Sequence, residues 1–261
     1  MKILVKLGGT LLDAPESRDR LAAQIAAAGE SHQAVVVHGG GKQMTRFLAD
    51  RGVSSHFVNG LRVTTPETMD AVLKVFAGSV NHELVAALNR AGARAVGLSG
   101  IDAFLAEAVQ LHPALGAVGR IVKCNPALLD LLSANCYLPV VACVAGDRAG
   151  QIYNVNADQM ASACAAAFGA RQLIFLTDVP GVLDTSGEIR PLLDAAQSEE
   201  LIAAGIASGG MLAKLNAALD ALRGGVEQVR IAPGAAPGVL ERLLAGEEIG
   251  TRIVLQEVHT A

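Results

Sequence analysis

Two short apolar segments that end in glycines constrain the fold of this chain more than any other feature. Residues 1–7 run into Gly8 and Gly9, and residues 34–38 run into three glycines at 39–41. A strand followed by glycines exposes backbone N–H groups where no Cβ keeps an anion away. Lys6 adds a positive charge beside the first turn. Two such junctions predict two neighbouring anion-binding loops, and hence an enzyme that handles a phosphate beside another anion.

Strand patterns and helix patterns alternate along almost the whole chain. Alternation of this kind predicts an α/β fold with an open, mostly parallel central sheet between helices, a three-layer αβα sandwich. Strands are predicted at 2–7, 34–38, 94–98, 138–143, 171–177 and 227–231, and helices near 16–28, 42–51, 67–90, 126–135, 156–168, 194–204, 210–223 and 236–244. A boundary near residue 170 would divide one continuous sheet into a substrate-binding lobe, 1–170, and a nucleotide-binding lobe, 171–261.

Two segments that interrupt this alternation are predicted to form hairpins. Residues 57–63 contain Asn59-Gly60, a strong hairpin signal, and residues 182–190 turn around Ser186-Gly187. Hairpins that project from a parallel sheet often serve as lids over ligand sites. Both segments are therefore candidate lids.

Composition and charge exclude several classes of function. The chain carries 21 basic and 25 acidic side chains, no basic run longer than two residues and only 3% aromatic residues, so nucleic acid is not expected as a partner. The four cysteines are irregularly spaced, which predicts reduced thiols. Charges within residues 1–20 argue against a signal peptide, and no uncharged apolar stretch reaches the length of about 18 residues that a membrane span needs. We expect a cytoplasmic enzyme with no membrane partner and no protein-held metal ion.

The common nucleotide-binding signatures are missing. Gly41-Lys42 is followed by Gln43, so no Walker-type P-loop is present, and no G-x-G-x-x-G sequence opens a helix after the first strand. His82-Glu83 begins like a zinc-protease motif, but the second histidine of that motif is absent. Phosphate binding must then come from the glycine loops.

Three further segments join strand ends to helix starts and carry candidate site residues. Asn156 is predicted to cap the helix at 156–168, and Asp158 lies in its first turn, where the helix dipole favours an acid. Residues 177–182 follow an apolar strand, and Gly209 and Gly210 open the helix predicted at 210–223, with Lys214 one turn further in. Taken singly, these segments have ordinary explanations: a helix cap, a turn and a solvated lysine.

Taken in order, these segments resemble the amino-acid kinase superfamily, and most closely its branch that phosphorylates N-acetyl-L-glutamate. The resemblance runs from the first strand to the last one, at 251–254. It rests on Lys6-Leu7-Gly8-Gly9, His38-Gly39-Gly40-Gly41, Asn59-Gly60-Leu61-Arg62-Val63-Thr64, Tyr137-Leu138-Pro139-Val140, Asn154-Val155-Asn156-Ala157-Asp158, Thr177-Asp178-Val179-Pro180-Gly181-Val182 and Gly209-Gly210-Met211 with Lys214. The third and fifth motifs are specific to this branch, whereas K-x-G-G is shared more widely.

The resemblance implies a role for each candidate position. Lys6 and Lys214 would stabilise the transferring phosphoryl group, and Asp158 would position both lysines. The acyl amino acid would be bound by the backbone of Gly40 and Gly41, by Arg62 at its α-carboxylate and by Asn154 at its acetamido or carboxylate end. Gly8 and Gly9 would contact the phosphates of ATP, and the ATP pocket would be lined by Asp178, Val179, Pro180, Gly181, Val182, Leu183, Ile206, Ala207 and Ser208. Mg²⁺ would be carried by the nucleotide phosphates.

The implied activity is ATP-dependent phosphorylation of the side-chain carboxylate of N-acetyl-L-glutamate, the second step of arginine biosynthesis. The residues suit it, because a carboxylate with a reference pKa of about 4.3 is already ionised at neutral pH and needs no general base. The approach of one anion to another is instead an electrostatic problem. A related kinase acting on aspartate or carrier-bound aminoadipate stays open, as does a superfamily member that only binds a ligand. The chain begins at its first strand, as in the dimeric, arginine-insensitive members, and we expect a homodimer.

The chain departs from the family pattern beside these motifs. Lys42 follows the triple glycine where proline is usual, and Ala103 stands where Gly-x-Asp-Gly usually ends in glycine. Residues 104–119 are predicted to form a short apolar loop, and their difference from the family bears on substrate fit.

Overall fold

Side chains are buried on both faces of the central sheet along its inner strands, Lys2–Leu7, Gln33–His38, Leu138–Ala142 and Gln172–Thr177. The computed structural model describes residues 1–58 and 60–256. In spatial order the strands are β12 (Leu192–Leu193), β14 (Thr251–Val254), β13 (Gln228–Pro233), β11 (Gln172–Thr177), β1 (Lys2–Leu7), β2 (Gln33–His38), β8 (Leu138–Ala142) and β5 (Ala95–Ser99), numbered along the chain. All neighbouring pairs are parallel except β13 and β14. The predicted open, mostly parallel sheet is confirmed, because strands buried on both faces are continuous apolar runs in the sequence.

Helices cover both faces of this sheet. They are α1 (Pro15–Ser31), α2 (Gly41–Ala49), α3 (Pro66–Val72), α4 (Asn81–Arg90), α5 (Ala127–Ala134), α6 (Ala157–Phe168), α7 (Ala195–Ala203), α8 (Gly209–Arg223) and α9 (Val239–Leu244). Helix α1 packs against α4 and α9, while α6 packs against α8 and β1. The right-handed rule for parallel crossovers places α1, between β1 and β2, and α6, between β8 and β11, on opposite faces, because the chain crosses the sheet in opposite directions in these two connections. The three-layer architecture is therefore confirmed.

Four short strands form a second, closed sheet that the sequence did not predict. They are β6 (Ala106–Gln110), β7 (Val118–Cys124), β9 (Val144–Gly146) and β10 (Ile152–Val155), paired in the order β10-β7-β6-β9. The expectation of a loop over 104–119 is wrong, because β6 and the start of β7 lie in this range. Both strands are partly exposed and mix polar with apolar residues, so no apolar run marks them.

Three helix ends are closed by local caps, and the cap predicted at Asn156 is confirmed. Thr65 Oγ1 accepts a hydrogen bond from the backbone N–H of Thr68 at 3.2 Å, and caps α3. Asn156 Oδ1 accepts from the N–H of Asp158 at 2.8 Å, and caps α6. Gly169 ends α6 in the left-handed conformation, with φ of 68°. Side-chain caps and a left-handed glycine satisfy backbone groups that a helix end leaves unpaired.

The helix predicted over 67–90 is continuous but irregular. A π-helical segment, Leu73–Val80, separates α3 from α4. Within the part of the chain that the structure describes, Pro66–Arg90 is the one helical stretch that is long and apolar enough, by length and composition, to cross a membrane. Half of its most apolar window is buried inside the protein. Its apolar character is thus accounted for by the core.

Both predicted hairpins form. The first pairs β3 (Phe57–Val58) with β4 (Leu61–Arg62) in antiparallel register, and Gly60 adopts a φ of 78°. Asn59, the other residue of the turn signal, lies outside the described residues. The second hairpin, 182–190, closes through one antiparallel bridge.

Candidate active site

The two glycine loops lie against each other where β1 and β2 end. The strands pair in register, with Leu7 opposite His38, so both loops leave the sheet side by side. A Cβ on Gly9 would lie 3.0 Å from the backbone nitrogen of Gly41 and 3.1 Å from that of Gly40. A side chain at Gly9 would therefore push the loops apart. The loops are neighbours, as the sequence predicted.

Gly40 and Gly41 of the second loop differ in the space that is available for a side chain. A Cβ on Gly40 would lie 2.8 Å from Cδ1 of Phe76, which belongs to the π-helical segment. A Cβ on Gly41 would meet nothing within 4 Å. Packing thus accounts for glycine at position 40, whereas position 41 opens towards empty space beside the loops.

A buried histidine, His38, holds the second loop in place through a hydrogen bond to the loop backbone. His38 is fully buried; its Nδ1 lies 3.0 Å from the carbonyl oxygen of Gly39, and its Nε2 lies 3.0 Å from Nδ2 of Asn81. The Asn81 amide also donates to the carbonyl of Val140 at 2.9 Å, so it donates to the ring and the ring N–H donates to Gly39. Burial lowers the pKa of His38 to about 4, and the ring is neutral at pH 7.

This contact orients the peptide group that follows. In a trans peptide the carbonyl and the next N–H point in opposite directions. With the Gly39 carbonyl held towards the His38 ring, the N–H of Gly40 points away from the ring, on the side of Gly9. The sequence motif included His38 but gave it no role, and nothing in the sequence pointed to Asn81, which is 43 residues away.

Three charged side chains meet beside the loops, and we call them the lysine cluster: Lys6, Asp158 and Lys214. The ammonium of Lys6 lies 2.7 Å from Oδ1 of Asp158, and that of Lys214 lies 3.5 Å from Oδ2. The side chains of Lys6 and Asp158 are each 7% exposed, and that of Lys214 is 14% exposed. They come together because α6, which carries Asp158 in its first turn, packs on both β1 and α8. The sequence separated these residues widely, and only the resemblance grouped them.

The lysine cluster carries a net positive charge. Burial would raise the pKa of Asp158, but the charges and hydrogen bonds of Lys6 and Lys214 outweigh burial and hold this pKa below its ordinary value. The carboxylate is therefore ionised, and two ammonium groups face one anion. The surplus positive charge is available to an anionic ligand.

The first hairpin reaches the second glycine loop through Arg62. One guanidinium nitrogen donates to the carbonyl of Gly41 at 3.2 Å and to Oγ1 of Thr45 at 2.8 Å. The guanidinium lies over the ring of Phe57, 4.6 Å from its centroid. It also bonds to the hydroxyl of Ser55. Arg62 is thus held at the loop by groups that an anion can displace.

Asn154 is tied to the same hairpin. Its Nδ2 donates to Oγ1 of Thr64 at 3.0 Å, and this hydroxyl donates to the carbonyl of Arg62 at 2.9 Å. Asn154 lies in β10, the strand that leads into α6. Asn154 is therefore linked to the backbone of Arg62 through Thr64, although 92 residues separate Arg62 from Asn154 in the sequence.

A cleft of 650 Å³ lies between the loops, the hairpin and α2, and we call it the loop–hairpin cleft. Its lining is rich in cations and consists of Gly9, Thr10, Asp13, Gly41, Lys42, Thr45, Arg46, Ala49, Phe57 and Arg62. Arg46 is paired with Asp13 at 2.8 Å, whereas Lys42 is exposed in the first turn of α2. Such a cleft favours a ligand with more than one carboxylate.

On the other side of β1, Asp178 is linked to the first glycine loop. Its carboxylate accepts hydrogen bonds from Oγ1 of Thr10 at 3.1 Å and from Oγ1 of Thr177 at 3.2 Å. A Cβ on Gly181 would lie 2.9 Å from Oγ1 of Thr251. The same hydroxyl accepts from the N–H of Val182 at 2.8 Å, which holds the turn after β11 against β14. Val179, Pro180 and Leu183 lie between and beside these anchors.

The remaining nucleotide-pocket candidates lie in the turn before α8. The N–H groups of Ile206 and Ala207 both donate to the carbonyl of Leu201 at 3.1 Å, and Ser208 precedes the first helical residue. Among residues 1–58 and 60–256, no hydrogen bond joins 206–208 to 178–183. That these two segments share one pocket stays a prediction.

Potential metal ligands are not grouped at the site. Within the described ranges, no three His, Cys, Asp or Glu side chains lie close enough together to hold a metal ion.

Comparison with known proteins agrees with the family predicted from the motifs. Residues 1–233 match the model of the amino acid kinase family. A Solibacter usitatus protein named acetylglutamate kinase is 73% identical over 97% of this chain and 99% of its own length. One of the same name from Acidobacterium capsulatum is 47% identical, over 93% of this chain and 95% of its own. N-acetylglutamate synthase from Neisseria gonorrhoeae superposes with a TM-score of 0.86 at 27% identity, over 98% of this chain and 60% of the synthase. The chain belongs to the amino acid kinase family.

Proposed function

We propose that this protein phosphorylates the side-chain carboxylate of N-acetyl-L-glutamate with ATP, the activity for which its 73% and 47% identical relatives are named. The observation that carries the proposal is the lysine cluster beside the touching glycine loops. Burying charges costs several kcal/mol per ion before pairing, as an order of magnitude. A protein that only bound a ligand would have no need of two buried ammonium groups at this point.

The chemistry requires no proton transfer by a side chain. The substrate carboxylate attacks the γ-phosphorus of ATP, and ADP leaves with the electron pair of the broken P–O bond. The attacking carboxylate is already ionised at neutral pH. His38 is not available as a base, since burial lowers its pKa to about 4 and both of its ring nitrogens are engaged.

Lys6 and Lys214 would act on the charge of the transferring phosphoryl group. Negative charge spreads over the phosphoryl oxygens during transfer, and donors fixed in advance stabilise it without reorganisation. Asp158 would keep both ammonium groups on one side of the site, because it binds Lys6 at 2.7 Å and Lys214 at 3.5 Å. Because its contact with Asp158 is longer, the Lys214 ammonium is bound less tightly to this carboxylate than the Lys6 ammonium is.

The acyl amino acid would occupy the loop–hairpin cleft. Gly40 and Gly41 would donate backbone N–H groups, Arg62 would bind the α-carboxylate, and Asn154 would bind the acetamido or carboxylate end. The contacts of Arg62 with Gly41 and Thr45 support this assignment, since they hold the guanidinium at the cleft. The first hairpin, which carries Arg62, would then act as a lid.

ATP would lie on the other side of β1. Gly8 and Gly9 would contact its phosphates, and residues 178–183 and 206–208 would line its pocket. With no cluster of three potential ligands in the described part of the chain, Mg²⁺ fits best as an ion held by the nucleotide phosphates. There it would neutralise part of the phosphate charge.

We further propose that the two ends of the main sheet bind different substrates, and that the protein is a cytoplasmic homodimer. Residues 1–170 would bind the acyl amino acid and form the dimer interface, and residues 171–261 would bind ATP. The direct pairing of β1 with β11 supports two lobes of one sheet over two separate domains. Light scattering at the mass of two chains is expected; a hexamer or a monomer would contradict the dimer.

The test of the activity is ADP release measured with N-acetyl-L-glutamate, L-glutamate, L-aspartate and aminoadipate as alternative acceptors. We expect turnover with the first alone. Lys6→Met and Lys214→Met should each lower kcat by roughly 10²-fold or more with little change in KM for ATP, as lost transition-state stabilisation does. Lys74→Met, on an exposed lysine paired with Asp70, is the matched control and should keep wild-type kcat. Faster ADP release with another acceptor would show that N-acetyl-L-glutamate is not the substrate. No ADP release with any acceptor would favour a protein that only binds its ligand.

A further inference from the structure

Two of the four free cysteines lie in contact although 40 residues separate them. The Sγ atoms of Cys124 and Cys164 are 4.0 Å apart. Cys124 ends β7 in the small sheet, and Cys164 lies in the middle of α6. The strand and the helix pack against each other, so the backbone already brings both thiols to one point.

The two thiols differ in access and acidity. Cys124 is partly exposed, whereas Cys164 is fully buried and its sulfur also lies 3.8 Å from Sδ of Met160. The hydrogen bond between the thiols lowers the pKa of Cys124 and, together with burial, raises the pKa of Cys164. The thiolate is the reactive form, so Cys124 is the thiol that a dissolved oxidant meets first. Cys164 is placed to resolve the product.

We propose that Cys124 and Cys164 are a redox-active pair that forms an intramolecular disulfide with a low-molecular-weight disulfide such as oxidised glutathione. The Cys124 thiolate attacks one sulfur of oxidised glutathione, and one glutathione thiolate leaves. The Cys164 thiolate then attacks the Cys124 sulfur of the mixed disulfide, and the second glutathione leaves. Two cysteine thiols are oxidised, one glutathione disulfide is reduced, and both protons go to the released glutathione.

Formation of this bond requires the sulfurs to move closer. A disulfide needs an S–S distance of about 2.05 Å, so the two Sγ atoms, which are 4.0 Å apart, must approach by about 2 Å. The bond would tie β7 to the helix that carries Asp158, six residues before Cys164. It would close a loop of residues 124–164, which contains α5, β8, β9, β10 and the start of α6, and such a closure restricts the unfolded chain.

The test is incubation of the full chain in glutathione buffers of increasing oxidation, followed by thiol titration and peptide mapping. We expect free thiols to fall from four to two, a mass loss of two hydrogen atoms and a linked peptide containing Cys124 and Cys164. The melting temperature should rise on oxidation in the wild type and stay unchanged in Cys124→Ser. Cys136→Ser, which removes the exposed cysteine outside the pair, should still form the disulfide.

Two results would overturn the proposal. One is glutathione retained on Cys124 as a stable mixed disulfide, because Cys164 would then not be a resolving thiol. The other is both thiols remaining free while Cys136 reacts, because the pair would then be only two small buried side chains in contact. Cys124→Ser keeps the test valid if variants of the buried Cys164 fail to fold, since Cys124 lies at a strand end and is partly exposed.

Discussion

The buried His38 makes the stability of this protein depend on pH in a defined window. Its ring is fully buried, and its Nε2 accepts a hydrogen bond from Asn81 that a protonated ring could not accept. The substitution that removes the titration with least change in shape is His38→Asn, because its side-chain N–H can still donate to the Gly39 carbonyl. The exposed His82, on α4, offers the matched control His82→Asn.

The size and sign of the effect follow from the two pKa values. The unfolded ring binds a proton near pH 6.5, whereas burial lowers the pKa of the folded ring to about 4. Between these values the unfolded chain binds more protons, so the free energy of unfolding falls as the pH falls. Since one pH unit corresponds to about 1.4 kcal/mol, the full loss from pH 7 to pH 4 is roughly 3 kcal/mol.

Urea denaturation at pH 7, 6, 5 and 4 measures this effect. The wild type and His82→Asn should lose stability in parallel over this range. His38→Asn should start lower at pH 7, since Asn81 loses one acceptor, and should then lose about 3 kcal/mol less than the wild type on acidification. If His38→Asn lost stability in parallel with the wild type, the buried ring would not be the titrating group.

Further substitutions test the site and the turn that precedes β6. Asp158→Asn should lower the free energy of unfolding by about 3–5 kcal/mol, because it leaves two buried ammonium groups without their anion. Lys6→Met should cost less, since the carboxylate keeps one ammonium partner; the opposite order in urea denaturation would contradict the bridging role. Arg62→Ala should raise KM for N-acetyl-L-glutamate about tenfold or more, as loss of a charge-assisted bond predicts, while Arg46→Ala, in the same cleft but paired with an acid, should change it little. Ala103→Gly should stabilise the fold by up to about 1 kcal/mol in urea denaturation, because Ala103 has a φ of 50°, a conformation that costs an L-residue about 1–2 kcal/mol; no gain would mean that the strain is relieved elsewhere.

The main sheet could be predicted from the sequence because its strands are marked by local signals. The strands β1, β2 and β11 are buried over almost their whole length and appear as apolar runs. Helix starts such as Thr65 and Asn156 carry caps that act within three residues. Signals of this range do not depend on the rest of the fold.

The small sheet and the support of the second loop could not be predicted, because they depend on contacts between distant residues. Strand β9 has three residues, and β10 pairs in parallel with β7, more than thirty positions earlier. The bond from Asn81 to His38 spans 43 positions and joins a helix to a strand end. The sequence around a polar residue in such a contact does not differ from the sequence around an exposed polar residue. Only the assembled fold distinguishes the two.

The position of the lysine cluster follows from the strand order of the main sheet. β1 lies between β2 and β11, and the chain leaves β1 and β11 towards opposite sides of the sheet. A crevice opens outside the carboxyl ends of parallel strands at such a switch point. The loop after β1 faces the loop after β2 on one side and Asp178, after β11, on the other. An acyl amino acid in the loop–hairpin cleft and a nucleotide beside Asp178 would therefore meet beyond the end of β1, where Lys6, next to the last residue of the strand, is paired with Asp158.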